Sequence, residues 1–375
     1  MPPLSTTRPR SRGQLVRRVV ATASAAALAA ATFTPGGAAT ARPAERDPLA
    51  AMAGKYTVVR AGLDNPRQID ILGRGQILVA ETGRGARNPE GCDGRRCTGR
   101  TGQVTVLNGR TGRAVPVMHN LLSVAGPDGS FAGGASGAAA RRPRGGFVAI
   151  VNGGPPGSQW GKLLGRGAKG NNYVIADISR FEQNNDPDGE GVESNPYSVL
   201  ALKGQILVAD AAGDSILSVK RGKVRLWALL PEYGPRVDAV PTVLSKGADG
   251  DIYVGELHSF RKGKAKVHRY DRDGNLLRSW GGFTSVTGVD RAEDGTLYVS
   301  ELFGGNCGFD QIPSCFPGRV VKVAPDGDRR YLPVPFPSGI AVRGQRAVVA
   351  AFSTSPGTGF GGNPAWSGAI WRLRF

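Results

Sequence analysis

One short phrase recurs six times along the chain. GQILVAE fills residues 75–81 and GQILVAD residues 204–210; GGFVAIVN ends at Asn152, GDIYVGE at Glu256, GTLYVSE at Glu301 and QRAVVAAF at Phe352. The last four steps between these ends span 45–58 residues, the period of propeller-type repeats. The flanks repeat as well. A strand opened by a Pro or polar residue precedes each phrase, as at Asn65-Pro66-Arg67, Asn195-Pro196-Tyr197, Val240-Pro241-Thr242 and Pro337-Ser338-Gly339. Two further short apolar runs follow, for example Ser215–Val219 and Val224–Trp227. Four short antiparallel strands per unit make a propeller blade, so the phrase reads as the second strand of a blade.

The count closes on itself. The sixth unit stops after its third strand, at Phe375, and one strand is left over at the other end, Tyr56–Arg60. That strand can supply the missing outer strand of blade six and remove an exposed sheet edge. The expected fold is an all-β, six-bladed propeller over residues 55–375 as a single domain. With 56 Gly and 26 Pro, and no sustained helical periodicity beyond the N-terminus, the composition favours turns over long helices. The second unit is irregular. Residues 119–195 hold a Gly/Ala-rich stretch (Gly133–Ala140), the cluster Arg141-Arg142-Pro143-Arg144 and a long loop, Phe181–Ser194. Long loops on a rigid scaffold are where function concentrates.

Residues 1–41 read as a signal peptide: five Arg up to Arg18, an Ala-rich apolar run Val19–Phe33, and Ala39-Thr40-Ala41 as a small-x-small cleavage site. Arg17-Arg18 leaves Sec and twin-arginine export both open. Residues 42–54 read as a linker, and the mature chain holds no stretch that reads as a membrane span. The implied location is extracytoplasmic, where disulfides persist. Of the three pairings of the four Cys, two local bridges are simplest, Cys92–Cys97 and Cys307–Cys315; the spacings do not suit a zinc finger. Removing the five leader arginines lowers the net charge from +18 to +13. The basic residues are scattered, without the aromatic-plus-basic stripe of single-strand nucleic-acid binders, so no nucleic-acid partner is expected. Attraction to acidic wall polymers or glycans stays open. The chain is expected to be a monomer acting on a small molecule or an extracellular, cell-wall partner.

Several stretches together carry a family resemblance: Gly62-Leu63-Asp64-Asn65-Pro66-Arg67, Val79–Gly83, the Cys92…Cys97-Thr98-Gly99 loop, Asp177-Ile178…Phe181-Glu182, Asp186-Pro187-Asp188-Gly189, Ser194-Asn195-Pro196-Tyr197, Val208–Ala211, Val240-Pro241-Thr242 and Tyr253–Leu257. They resemble the ScyD/ScyE-like family of exported bacterial proteins, named from scytonemin biosynthesis clusters. The resemblance implies an exported β-propeller and supplies no established reaction. The Arg141–Arg144 segment and His258 depart from it.

The candidate site follows from blade geometry. Second strands end on the same face as the turns that lead into the innermost strands. Glu81, Asn152, Asp210, Glu256 and Glu301, with Asn65 and Asn195, are therefore expected around the axis on one face. Such a ring suits Ca²⁺, which takes six to eight oxygens, and would permit a Ca²⁺-dependent lactonase or gluconolactonase-like hydrolase. The competing reading makes each acid an acceptor for backbone N–H groups of an adjoining turn. Asp186, Asp188 and Glu190 form a secondary Ca²⁺ candidate that lacks EF-hand spacing. Of three His, only His258 is expected on the candidate face as a general base; His119 and His268 are expected away from it. Gly62–Gly83 also resembles the first blade of quinone-dependent sugar dehydrogenases. With no Ser-His-Asp pattern and no nucleophile elbow, the leading expectation is a binding module without established catalysis, with the hydrolase and then the dehydrogenase as alternatives.

Overall fold

The structure is a computed structural model that describes residues 48–375, apart from 142–144, 156, 235–236 and 345. The signal peptide, the first part of the linker and Arg142–Arg144 lie outside the described residues. Six four-stranded antiparallel sheets form the chain. Blade 1 holds β2 (Pro66–Ile71), β3 (Gln76–Glu81), β4 (Cys97–Asn108) and β5 (Ala114–Ala125). Blade 2 holds β6 (Ala135–Ala140), β7 (Phe147–Val151), β8 (Lys162–Arg166) and β9 (Asn172–Asp177). Blade 3 holds β10 (Pro196–Leu202), β11 (Gln205–Asp210), β12 (Ser215–Lys220) and β13 (Lys223–Leu229). Blade 4 holds β14 (Pro241–Lys246), β15 (Ile252–Glu256), β16 (Ala265–Tyr270) and β17 (Leu276–Phe283). Blade 5 holds β18 (Val286–Arg291), β19 (Leu297–Glu301), β20 (Arg319–Val323) and β21 (Arg329–Pro333). Blade 6 holds β22 (Ile340–Arg343), β23 (Arg346–Ala351), β24 (Gly368–Leu373) and, as its outer strand, β1 (Tyr56–Leu63).

Each repeated phrase is the second strand of its blade. In β15 and β19 every residue is buried, because the strand is covered on both faces by neighbouring blades. That is why these segments read as unbroken apolar runs instead of alternating ones. Each Val, Ile or Leu so buried contributes about 1.5–3 kcal/mol. The core is accordingly divided into clusters wedged between blades. One joins Leu78 and Val104 of blade 1 to Ala149 and Leu164 of blade 2. The ring closes through β1 and β24, where Tyr56 stacks on Trp371 at 3.8 Å between ring centroids. Part of the expected linker is docked: residues Ala50–Met52 make a 3₁₀ turn, and Met52 is buried in the apolar cluster shared by blades 5 and 6.

One glycine of blade 2's Gly/Ala-rich strand, Gly137, is dictated by a side chain from elsewhere. Gln68 of β2 passes the innermost strand of blade 2 and reaches blade 3. Its Nε2 donates to Val199 O (2.7 Å), and its Oε1 accepts from Val199 N (3.1 Å) and Ser198 Oγ (3.2 Å). An innermost strand has a ladder partner on one side only, so half of its backbone groups face the axis unpaired. The Gln68 amide stands in for a strand there. A Cβ on Gly137 would lie 2.7 Å from Gln68 Oε1 and 2.9 Å from Ser198 Cα, so the bridge requires glycine. One further element differs from the sequence expectation. The first part of the supposed loop 181–194 is helical, α1 (Ile178–Asn185), with Asp177 as its N-cap accepting from Arg180 N. Among the described residues no helix is long and apolar enough to cross a membrane.

Candidate functional site

The acids at the ends of the second strands lie on one face, but they do not converge. Glu81 is buried, and its carboxylate accepts from Asp64 N, Gln103 Nε2 and Thr105 Oγ1. Asp210 accepts from Asn195 N and Ser194 Oγ. Glu301 accepts from Thr284 N and is paired with Arg319. Asn152 Oδ1 accepts from Gly134 N. In each case the backbone donor belongs to the turn leading into the innermost strand of the same blade. Burial raises the pKa of Glu81, and it raises that of Asp210 to about 6 against the opposing pull of its hydrogen bonds. Among the described residues, no three of these ring acids bring ligand atoms within 4.8 Å of one another.

A second set of polar side chains is re-aimed by backbone bulges. The first two strands shift register at the same point in blades 1 to 5: after Pro66, Ala135, Pro196, Pro241 and Val286. A bulge places an extra residue opposite its partner and redirects its side chain. Three of these residues reach the lead-in of the next blade. Thr242 Oγ1 donates to Val286 O (2.6 Å), Thr287 Oγ1 to Pro337 O (2.8 Å) and Arg67 Nη2 to Ala132 O (3.0 Å). Asn65 makes a related link, donating from Nδ2 to Gly83 O and Gly129 O at 2.8 Å each. The ring of polar residues on this face therefore serves blade-to-blade closure.

Glu256 is the exception. In blade 4 the lead-in turn is held by Asp214, a residue of blade 3. Its carboxylate accepts from Val240 N (2.7 Å) and Ala239 N (2.8 Å), and burial raises its pKa to about 7. Glu256, fully buried, is thereby released to other partners. Its Oε1 lies 3.0 Å from His258 Nδ1; its Oε2 lies 3.0 Å from His268 Nε2 and accepts from Tyr233 OH at 3.0 Å. Ser279 Oγ, 2.8 Å from His268 Nδ1, fixes the second imidazole. Tyr233 packs against His258 with ring centroids 4.3 Å apart, and burial together with the Glu256 carboxylate raises its pKa. His268 therefore belongs to this cluster, against the expectation that it stands apart. Its position in a third strand gave no signal, because only the fold shows which strand residues face Glu256. His258 Nε2 has no partner among the described residues, so it is the free nitrogen of the cluster. The loop carrying it is strained: His258, Ser259 and Phe260 have φ of 52°, 46° and 60° in succession. Runs of left-handed non-glycine residues persist only where surroundings hold them, often at functional sites.

Aromatic rings continue from this loop across the upper face. Phe260 meets Phe303 (5.7 Å), Phe303 meets Phe309 (5.1 Å), Phe309 meets Phe336 (6.0 Å), and Phe336 meets Phe131 (6.4 Å). The band runs from blade 4 over blades 5 and 6 to the lead-in of blade 2. There Phe131 N donates to Thr354 O. Phe309 is 43% exposed. Both expected disulfides are present, and Cys307–Cys315 ties the loop that carries Phe309. On the opposite face, the far ends of the innermost strands enclose a cavity of about 240 Å³ lined by Lys246, Asp290, Arg291 and Arg343. Burial raises the pKa of Asp290 to about 7.

The secondary candidate assembles differently from its expected form. Asp186 and Asp188 are brought together with Glu182 of α1, while Glu190 is exposed and outside the group. Glu182 stood in the sequence only as part of the stretch Asp177…Glu182 that carries the family resemblance, and not as a ligand, because a Glu in an apparent loop is ordinarily solvated. Its burial comes from α1 docking on Gly213.

No protein-family model and no curated protein sequence matches the chain. Solved structures do resemble it. Regucalcin, a calcium-binding protein from Agrobacterium tumefaciens, is 12% identical, with TM-score 0.51 over 85% of this chain and 93% of its own. A gluconolactonase from Xanthomonas campestris is 14% identical, with TM-score 0.50 over 91% and 98%. A protein from Thermus thermophilus assigned as a glucose dehydrogenase is 15% identical, with TM-score 0.51 over 85% and 99%. The likeness is one of fold: a six-bladed β-propeller.

Proposed function

We propose that this chain is an exported propeller of the ScyD/ScyE-like type that binds a ligand with aromatic or apolar ring surface on its upper face. The observation that supports the reading is how the ring acids are used. A hydrolase of the gluconolactonase kind needs them free to converge on a metal, whereas here Glu81, Asp210 and Glu301 are each engaged by a turn of their own blade and Glu256 is engaged by two His and a Tyr. What the same face offers instead is the band Phe260–Phe303–Phe309, half-buried to exposed, backed by the buried Phe336 and held by a disulfide. Aromatic ligands stack on such rings in offset or edge-to-face geometry, each pair contributing about 0.5–1.5 kcal/mol beyond area burial. Two disulfides fit an oxidising compartment.

The test is ligand-observed NMR with a panel of ring-bearing compounds on the mature protein and on Phe309→Ala. Binding that weakens about tenfold in the variant supports the reading, since losing a buried aromatic contact is worth about 1.5–3 kcal/mol. Hydrolysis of lactones that requires Ca²⁺ and disappears in Glu81→Gln or Glu301→Gln would overturn it.

One observation favours a second reading, in which the face performs acid–base chemistry. Glu256 orients His258 through Nδ1 and leaves Nε2 free, the arrangement by which a carboxylate fixes the tautomer of a general base. Under this reading any turnover, whether hydrolysis or quinone-dependent sugar oxidation, is lost in His258→Asn and retained in His119→Asn.

A further inference from the structure

The chain carries 48 Lys and Arg against 30 Asp and Glu, yet at one place acids gather without a basic partner. Glu182 lies on the inner face of α1 and is fully buried. Neither of its carboxylate oxygens has a hydrogen-bond partner among the described residues. Asp186, the helix C-cap with φ of 40°, and Asp188 in the following turn bring ligand oxygens to within 4.8 Å of those of Glu182. Asp186 and Asp188 each spend one oxygen on a turn amide, Gly191 N and Glu190 N respectively. Asp210 is close enough to Glu182, and Asp214 to Asp188, for repulsion to be felt. No Lys or Arg among the described residues forms an ion pair with any of the five.

An unpaired buried carboxylate is costly, and three acids drawn together raise that cost. Local geometry preserves the arrangement. Gly213 packs against the carboxylate, and a Cβ there would lie 2.7 Å from Glu182 Oε2. The donors are carboxylate oxygens only, with no His or Cys. That set suits hard cations and disfavours zinc or copper. The ligands come from a helix and the turn after it. Ca²⁺ accepts such irregular oxygen sets of six to eight, completed by water, while Mg²⁺ demands a tight octahedron.

We propose that Glu182, Asp186 and Asp188 form a Ca²⁺ site on the upper face that fastens α1 and the turn 186–190 to blade 3. It adjoins Asp210 of the axial ring but takes no ligand from the ring acids or from the Glu256 cluster. Its role is to neutralise the buried acid and order the connection between blades 2 and 3.

The test starts from chelator-treated mature protein, with calorimetric titration of CaCl₂ and of MgCl₂ and thermal melts in each. The expected result is one Ca²⁺ bound per chain, with Mg²⁺ at least tenfold weaker. At a hundredfold excess over Kd the melting temperature should rise by roughly 4 °C, given the size of the domain. Asp188→Asn should weaken Ca²⁺ binding at least tenfold. Glu182→Gln should abolish it and yet melt no lower than wild type in EDTA, because the amide fills the same space with no charge to bury; a variant that had merely misfolded would melt lower. Glu81→Gln and Glu301→Gln should bind Ca²⁺ as wild type does. Absence of Ca²⁺ heat and of any melting shift in wild type up to 10-millimolar-order CaCl₂ would overturn the proposal. So would binding that survives Glu182→Gln and Asp188→Asn but is lost in Glu81→Gln, which would place the ion in the axial ring.

Discussion

Gln68→Ala tests whether the ring is closed across its axis as described. The substitution removes the side chain that satisfies both the N–H and the C=O of Val199, a residue with no exposed surface. Each buried backbone group left unpaired costs about 1–3 kcal/mol, so the sum is about 2–6 kcal/mol unless water enters. Unfolding entropy of about 2.1 cal/mol/K per residue over roughly 320 residues gives about 0.7 kcal/mol per degree. The melt should therefore fall by about 3–9 °C, measured by circular dichroism at constant pH in EDTA. Gly137→Ala should also destabilise, because its Cβ meets Gln68 Oε1 and Ser198 Cα. The two changes should not add: with Gln68 gone, the larger residue loses its closest obstacle. A double-mutant cycle with a coupling of about 1 kcal/mol or more is expected. Strict additivity, or a Gln68→Ala melt within 1 °C of wild type, would refute the bridge and imply an open axis.

Other outcomes follow from the same geometry. Glu256→Gln sets an amide N–H₂ against groups that are themselves donors and should cost about 3 kcal/mol. Glu81→Gln should cost less, because the neighbouring Gln103 amide can turn to complement it; comparable melts would argue against a special role for Glu256. Stability in EDTA should fall as pH rises from about 4 towards 7. Asp214 and Asp290 have folded pKa values raised to about 7 from the ordinary 3.8. The native state thus holds protons that the unfolded chain has released, and their stabilising effect is lost as pH rises through the folded values. Asp290→Asn should flatten that slope. Removing residues 48–63 deletes β1 and exposes the edge of β24; self-association in light scattering is the expected consequence. Val240→Gly should stabilise by about 1 kcal/mol, since a β-branched residue is held at φ 56°.

The repeat was legible in the chain because a second strand covered on both faces has to be apolar throughout, and six such runs at blade spacing leave few folds. The spare strand at Tyr56 and the local Cys pairs were legible for similar reasons: each is a short-range or counting constraint. Three things needed the tertiary structure. Acids that look alike in sequence, Glu81, Asp210, Glu256 and Glu301, diverge in role because Asp214, from another blade, takes over the turn beside Glu256. His268 joins Glu256 only through strand pairing, and position 137 must be glycine because Gln68, from a different blade, passes it. Glu182 became a candidate ligand only once α1 docked on Gly213 and removed its carboxylate from water. A sequence displays what a residue is and what lies near it along the chain; which carboxylate is spent on a neighbour, and which is left over, depends on contacts between blades that only the closed ring brings together.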